Sequence, residues 1–130
     1  MTTVLLDTHV AHWWSAEPKK LSRAATRAIE GADELAIAAI TWFELAWLAN
    51  LGRIVVAVPV RSWLDEIDVR VRTITVTPAI ADTAVSLPDS FPGDPADRLI
   101  YASALELGIP LVTKDDRLRK HRHPRSPTVW

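Results

Sequence analysis

Four carboxylates stand where short apolar runs stop, and that placement could do chemistry. Asp7 ends "TVLL", Glu44 lies just beyond "LAIAAI", Asp97 sits at the start of a helical stretch, and Asp115 follows "PLVT". If the runs are strands of one parallel sheet, all four acids gather at the strands' carboxyl ends, where open α/β sheets bind ligands. Two like charges about 4 Å apart repel by roughly 4 kcal/mol at an effective dielectric of about 20, so such a gathering demands protonation or a cation. Mg²⁺ or Mn²⁺ suits an all-oxygen site that retains waters, and such an ion activates water for in-line attack on a phosphodiester.

Each acid also has a purely structural reading. Thr41 and Glu44 in "TWFE" have capping-box spacing, and Asp94 and Asp97 in "DPAD" place an acid in a favourable first turn. Asp7 and Asp115 could be N-caps or turn residues, Asp7 being the least readily explained that way. Against capping alone, Glu44 is followed at helical spacing by Trp47 and Leu48, and Asp97 by Ile100 and Tyr101, which puts both acids on or beside inward faces.

Other chemistries find less support. His9 and His12 have helical spacing without a third ligand at zinc spacing, and His9 reads as a helix-start residue near the cleft. Ser86 and Ser103 lack triad partners, and four glycines form no phosphate loop. The absence of cysteine excludes disulfides and thiolate chemistry. The six tryptophans mostly fall in apolar runs and are assigned to the core or to an interface, with Trp14 and Trp47 as the interface candidates.

The elements that must position the acids alternate along the chain. "TVLL" reads as a strand. "LSRAATRAIEG" reads as a helix capped by Ser22 and stopped by Gly31, and "LAIAAI" as a second strand. "TWFELAWLANLG" reads as a helix capped by Thr41 with Gly52 past its end. "VRSWLDEI" is helical, "RVRTITV" alternates like a strand, and "PAIADTAVSL" is helical. Asp94, Pro95 and Gly108 bracket a further helix, and "PLVT" is a short buried strand. This alternation predicts an α/β/α sandwich around a mostly parallel sheet. At 130 residues and 48% apolar content, the chain is expected to form one domain over residues 1–130. No run suits a membrane span or a secretory signal, so a cytoplasmic protein is expected. A net charge of −1 argues against nucleic-acid binding by bulk attraction. The basic tail, with Arg117, Arg119, Lys120, Arg122 and Arg125 beside His121 and His123, reads as a solvated tail or a binding patch.

Taken together, "LLDTHVAHWW", "TWFELA", "DPADRLIYASA" and "LVTKDDRL" resemble the PIN-domain family, specifically the VapC-type toxins of bacterial toxin–antitoxin pairs. The resemblance covers essentially the whole chain, including "KLSRAATRAI" and the final "PTVW". It implies a PIN-like three-layer sandwich and an Mg²⁺- or Mn²⁺-dependent endoribonuclease that cuts RNA and inhibits growth until its cognate VapB antitoxin binds. It further implies a homodimer and a toxin–antitoxin heterocomplex that reaches DNA only through the antitoxin. By the same resemblance Asp7 and Asp97 are the primary metal ligands, and Glu44 and Asp115 complete the catalytic pocket directly or through water. Asp94 is secondary, Thr113 supports a ligand or water, and Arg98 and Lys114 hold substrate phosphates. Asp116 adjoins Asp115, but the place directly after "LVTK" favours Asp115. Leu48, Ala96 and Ser103 depart from the lysine, aromatic and glutamine of many close relatives and touch none of the four acids.

Two other classes remain as alternatives. A PIN-like or receiver-like regulatory module would bind without cleaving, but a receiver needs an acid pair after its first strand and only Asp7 is present. A small metal-dependent phosphatase would carry a two-acid signature that "LLDTH" lacks.

Overall fold

Alternating side chains in the strands decide which layer each one faces, and the computed structural model, which describes residues 1–121 and 126–130, follows that rule. In β1 (Thr3–Leu6), Leu5 enters one core while Val4 and Leu6 enter the other. In β2 (Glu34–Ala38), Ala36 and Ala38 share the side of Leu5, and Ile37 joins Leu6. The remaining strands are β3 (Arg72–Ile74), β4 (Leu111–Val112) and β5 (Thr128–Val129). All the pairings are parallel, in the order β3-β2-β1-β4-β5.

Helices cover both faces. α1 (Thr8–Ala16), α2 (Arg23–Gly31), α3 (Ala39–Asn50) and α4 (Val60–Asp68) supply Val10, Ala11, Ala25, Ile29, Leu45, Trp63 and Ile67 to one core. α5 (Pro78–Ser86) and α6 (Pro95–Leu107) supply Ile80, Ala84, Ile100, Tyr101 and Ala104 to the other, which Leu118 of α7 (Asp116–Lys120) also enters. The result is the expected three-layer sandwich, with a sheet that is wholly rather than mostly parallel.

Local signals hold at several ends. Ser22 caps α2 by accepting from Ala25 N–H, Asp94 caps α6, and Gly108 closes α6 in the left-handed conformation at φ 63°. Two expectations are corrected. Gly31 is the last residue of α2 rather than its stop, with Ala32 as the C-cap. α3 begins at Ala39, not after Thr41, because β2 runs directly into it and Ala38 takes the cap position without a side-chain hydrogen bond. Thr41 is thereby a fully buried residue inside the helix. Among the described residues, no helix is long and apolar enough to cross a membrane. Arg122, His123 and Arg125 of the basic tail lie outside the described residues.

Candidate active site

β1 is flanked by β2 on one side and β4 on the other, so successive connections leave it in opposite directions. That reversal opens a crevice at the carboxyl ends of β1 and β4. Asp7 is the next residue after β1, and its N–H donates to the Val112 carbonyl of β4 at 3.0 Å. Its side chain, only 4% exposed, is the N-cap of α1: Oδ1 accepts from Thr8 N–H at 2.8 Å. Its Oδ2 accepts from the Thr113 hydroxyl at 2.6 Å, and the same hydroxyl accepts from Asp115 N–H at 3.0 Å. Thr113 therefore ties the two strand-end acids into one unit.

Glu44 enters from α3. With Thr41 inside the helix, the capping-box reading of Glu44 is lost. Instead Glu44 Oε1 accepts from the Thr8 hydroxyl at 2.5 Å, and Thr41 Oγ1 lies 3.2 Å from the Thr8 oxygen. Since the Thr8 proton goes to Glu44, the Thr41 proton serves Thr8, and a chain of hydroxyls aims the glutamate toward Asp7. Burial raises the Glu44 pKa, the Thr8 hydrogen bond opposes the rise, and the charges of Asp7 and Asp94 add to it.

Asp97 and Asp115 share one cation. Arg117 Nη2 donates to Asp97 Oδ2 at 3.1 Å and to Asp115 Oδ2 at 2.7 Å. Asp115 is also the N-cap of α7, accepting from Arg117 N–H at 2.9 Å, and the Arg117 hydrogen bond holds its carboxyl below the usual range. Asp97 goes the other way: burial and the charges of Asp7 and Asp94 push its pKa up to about 7 against the pull of Arg117. Asp94 accepts from Ala96 and Asp97 N–H at 2.8 and 3.3 Å, so it caps α6 and contributes to the field on Asp97. Among the described residues, no three acid or histidine side chains already form a shared ligand shell. The Arg117 guanidinium is the cation that spans the acids.

Asp97 yields a prediction with a definite sign. Its folded pKa of about 7 lies above the ordinary value of 3.8, so the unfolded chain ionises first as pH rises. Metal-free protein should lose stability between about pH 4 and 7 and level off above. The full shift corresponds to about 4 kcal/mol, and water at the cleft mouth reduces this to about 2 kcal/mol. Asp97→Asn is expected to unfold several degrees higher than wild type at pH 8 in EDTA and to match it near pH 4. Identical pH profiles for the two proteins would refute the assignment.

The structure disposes differently of the proposed phosphate holders. Arg98 is turned away from the acids: its guanidinium donates to the carbonyls of Ala84, Leu87, Pro88, Phe91 and Pro92 at 3.0–3.3 Å. It fastens the α5–α6 connection and has no donor left for a phosphate, which corrects its expected role. Lys114 is exposed beside the site; its N–H donates to His9 Nε2 at 3.0 Å, and its ammonium lies 5.7 Å from the Trp13 ring centre. Asp116 points away to Arg119, at 3.3 Å, which leaves Asp115 as the acid of the cleft. Trp14 packs on the core beneath Arg70, whereas Trp47 is 52% exposed and stacked on Phe43.

Residue-type reasoning missed Arg117 and Thr8. The only local sign of Arg117 was its position two residues after Asp115, and Thr8 was hidden beside the acid that drew attention.

The PIN domain family model matches residues 4–124. Ribonuclease VapC22 from Mycobacterium tuberculosis is 69% identical over 130 residues, covering 100% of both chains. Among solved structures, VapBC2 from Rickettsia felis, bound to a promoter DNA fragment, superposes with a TM-score of 0.69 at 16% identity, covering 92% of each chain. VapC20 from Mycobacterium tuberculosis, a sarcin–ricin loop cleaving toxin, superposes with a TM-score of 0.58 at 17% identity, covering 88% of this chain and 92% of that one. Divalent-metal dependence is general among PIN-domain ribonucleases. With a family model spanning nearly its whole length and a full-length relative at this identity, the chain belongs to the PIN-domain family, on its VapC branch.

Proposed function

We propose that this protein is the ribonuclease toxin of a VapBC-type pair, hydrolysing RNA phosphodiester bonds with the help of Mg²⁺ or Mn²⁺. The observation that carries the reading is the cluster of Asp7, Glu44, Asp97 and Asp115 at the crevice between β1 and β4, bridged by hydroxyls and one guanidinium. The donor set is all oxygen, and mutual repulsion raises Asp97 until it keeps a proton near neutrality. Those are the properties of a site short of positive charge, and they fit a hard divalent cation. Asp7 and Asp97 would hold the ion, with Glu44 and Asp115 directly or through water and Asp94 adding negative field. When bound, a divalent cation lowers the pKa of water and neutralises charge that builds on the phosphodiester.

The chain's own residues do the rest. Thr113 fixes the orientation of Asp7, and the Thr41–Thr8 relay fixes that of Glu44. Burial and the neighbouring acids raise Glu44, which suits it to accept a proton from the attacking water. Asp115 holds Arg117 at the rim, where its guanidinium can meet the substrate phosphate once Asp97 is otherwise engaged. A VapB-type antitoxin and a second copy of the chain are the proposed partners, supported by the VapBC assemblies among the structural relatives. The exposed Phe43–Trp47 face, continued by Leu51, is apolar surface that such an assembly would cover.

The test is metal dependence read in two ways. Purified protein should cut single-stranded RNA in Mg²⁺ and not in EDTA. Millimolar Mg²⁺ should also raise its unfolding temperature, because a ligand held by the folded state alone stabilises that state. An unfolding temperature indifferent to Mg²⁺ and Mn²⁺, with no cleavage in either, would instead support a non-cleaving binding module.

A further inference from the structure

Beside the acids runs a surface that the proposed chemistry does not use. Trp13 of α1 is half-buried yet is not among the side chains packed on either core. Its ring instead meets His9 edge-on at 5.0 Å and Trp130 at 5.9 Å with 53° between planes. Two ammonium groups lie over it, Lys20 at 5.9 Å and Lys114 at 5.7 Å. His9 connects this group to the acids: Nδ1 is 3.5 Å from Asp7 Oδ2, while Nε2 accepts from Lys114 N–H. A shelf thus leads from Asp7 through His9 to Trp13 and Trp130. Past Trp130 it opens into a groove of about 680 Å³ lined in part by Arg119, Lys120 and Ser126.

A structural role explains this arrangement poorly. One lysine over a half-exposed ring is ordinary, but two bring like charges together on the same ring, in a chain whose net charge is −1. An aromatic face flanked by cations and adjoining a phosphodiester-cleaving cleft matches what an unpaired nucleotide needs: a surface to stack on and charges for its flanking phosphates. A duplex, with its bases already stacked, cannot use such a shelf.

We propose that Trp13, backed by Trp130, is the stacking platform that seats an unpaired base of the RNA next to the scissile phosphate, with Lys20 and Lys114 holding the flanking phosphates. The proposal rests on the ribonuclease reading and adds to it that the substrate enters as a single strand across the β1–β4 edge.

The experiment measures binding of a fluorescein-labelled single-stranded RNA decamer in EDTA, where cleavage does not obscure affinity. Trp13→Leu is expected to weaken binding about tenfold and Trp13→Phe to retain most of it, the base still finding a ring. A fully paired RNA of the same sequence should bind more weakly and respond to neither substitution. Because Trp13→Leu can disturb α1, the double variant Lys20→Gln/Lys114→Gln, both positions exposed, provides a second arm. It should lower the slope of log affinity against log salt by about 1 while leaving the unfolding temperature unchanged. Tight binding with equal affinity for wild type, Trp13→Leu and the double lysine variant would overturn the platform and leave the ribonuclease reading intact. Wild type that neither binds the decamer in EDTA nor cuts it in Mg²⁺ would overturn the ribonuclease reading itself.

Discussion

Asp7→Asn is expected to leave a folded protein that cuts RNA about 10³-fold more slowly in Mg²⁺. Asparagine keeps an oxygen for the cap on Thr8 N–H, so the start of α1 is preserved. What disappears is the charge, and with it the proposed attraction for the ion at the crevice. The Thr113 hydroxyl must also reorient toward an amide in place of a carboxylate, which loosens the link to Asp115. Asp7→Ala should behave differently, adding about 1 kcal/mol of lost capping to the loss of cleavage. Cleavage rates together with unfolding temperatures separate the two effects. Asp7→Asn protein cutting RNA within a factor of about ten of wild type would remove Asp7 from the centre of the mechanism.

The second large effect lies away from the acids. Arg98→Ala is expected to destabilise the protein by about 3 kcal/mol, because the carbonyls of Ala84, Leu87, Pro88, Phe91 and Pro92 lose a charged donor together. Arg98→Lys should recover less than half of that, since a single ammonium cannot reproduce the planar fork. The guanidinium also sits 5.7 Å from the centre of the Phe91 ring, whose side chain belongs to the core. Urea unfolding measures the loss directly. A phosphate-holding Arg98 would give the opposite pattern, with intact stability and weakened RNA binding.

How far the sequence was legible depended on whether a feature was local. The strands could be read because alternating apolar residues and abrupt acids are local signals, and the acids could be placed because strand ends share an edge in this class of sheet. The start of α3 could not, because β2 passes into it without a loop and Ala38 offers no side-chain signal. β5 was not assigned as a strand: two residues carry no period, and Thr128 and Val129 become a strand only by pairing with Leu111 and Val112. Arg98 was misread because an arginine beside an acid in sequence says nothing of carbonyls gathered from a preceding loop. The Trp13 shelf was equally hidden, since Lys114 and His9 meet across the sheet rather than along the chain.

The way each acid is held has one more consequence. Asp7, Asp94 and Asp115 are anchored by backbone N–H groups of the helices they begin, so folding has already fixed their rotamers before any ligand arrives. They are preorganised, and ligand binding need not bear the entropy of ordering them again. Asp97 differs, because the bond that engages its carboxylate comes from the side chain of Arg117, which can itself turn. The cleft thus resembles a vice with fixed jaws and one moving jaw, and the exchange of partners at Asp97 is the stroke that closes it.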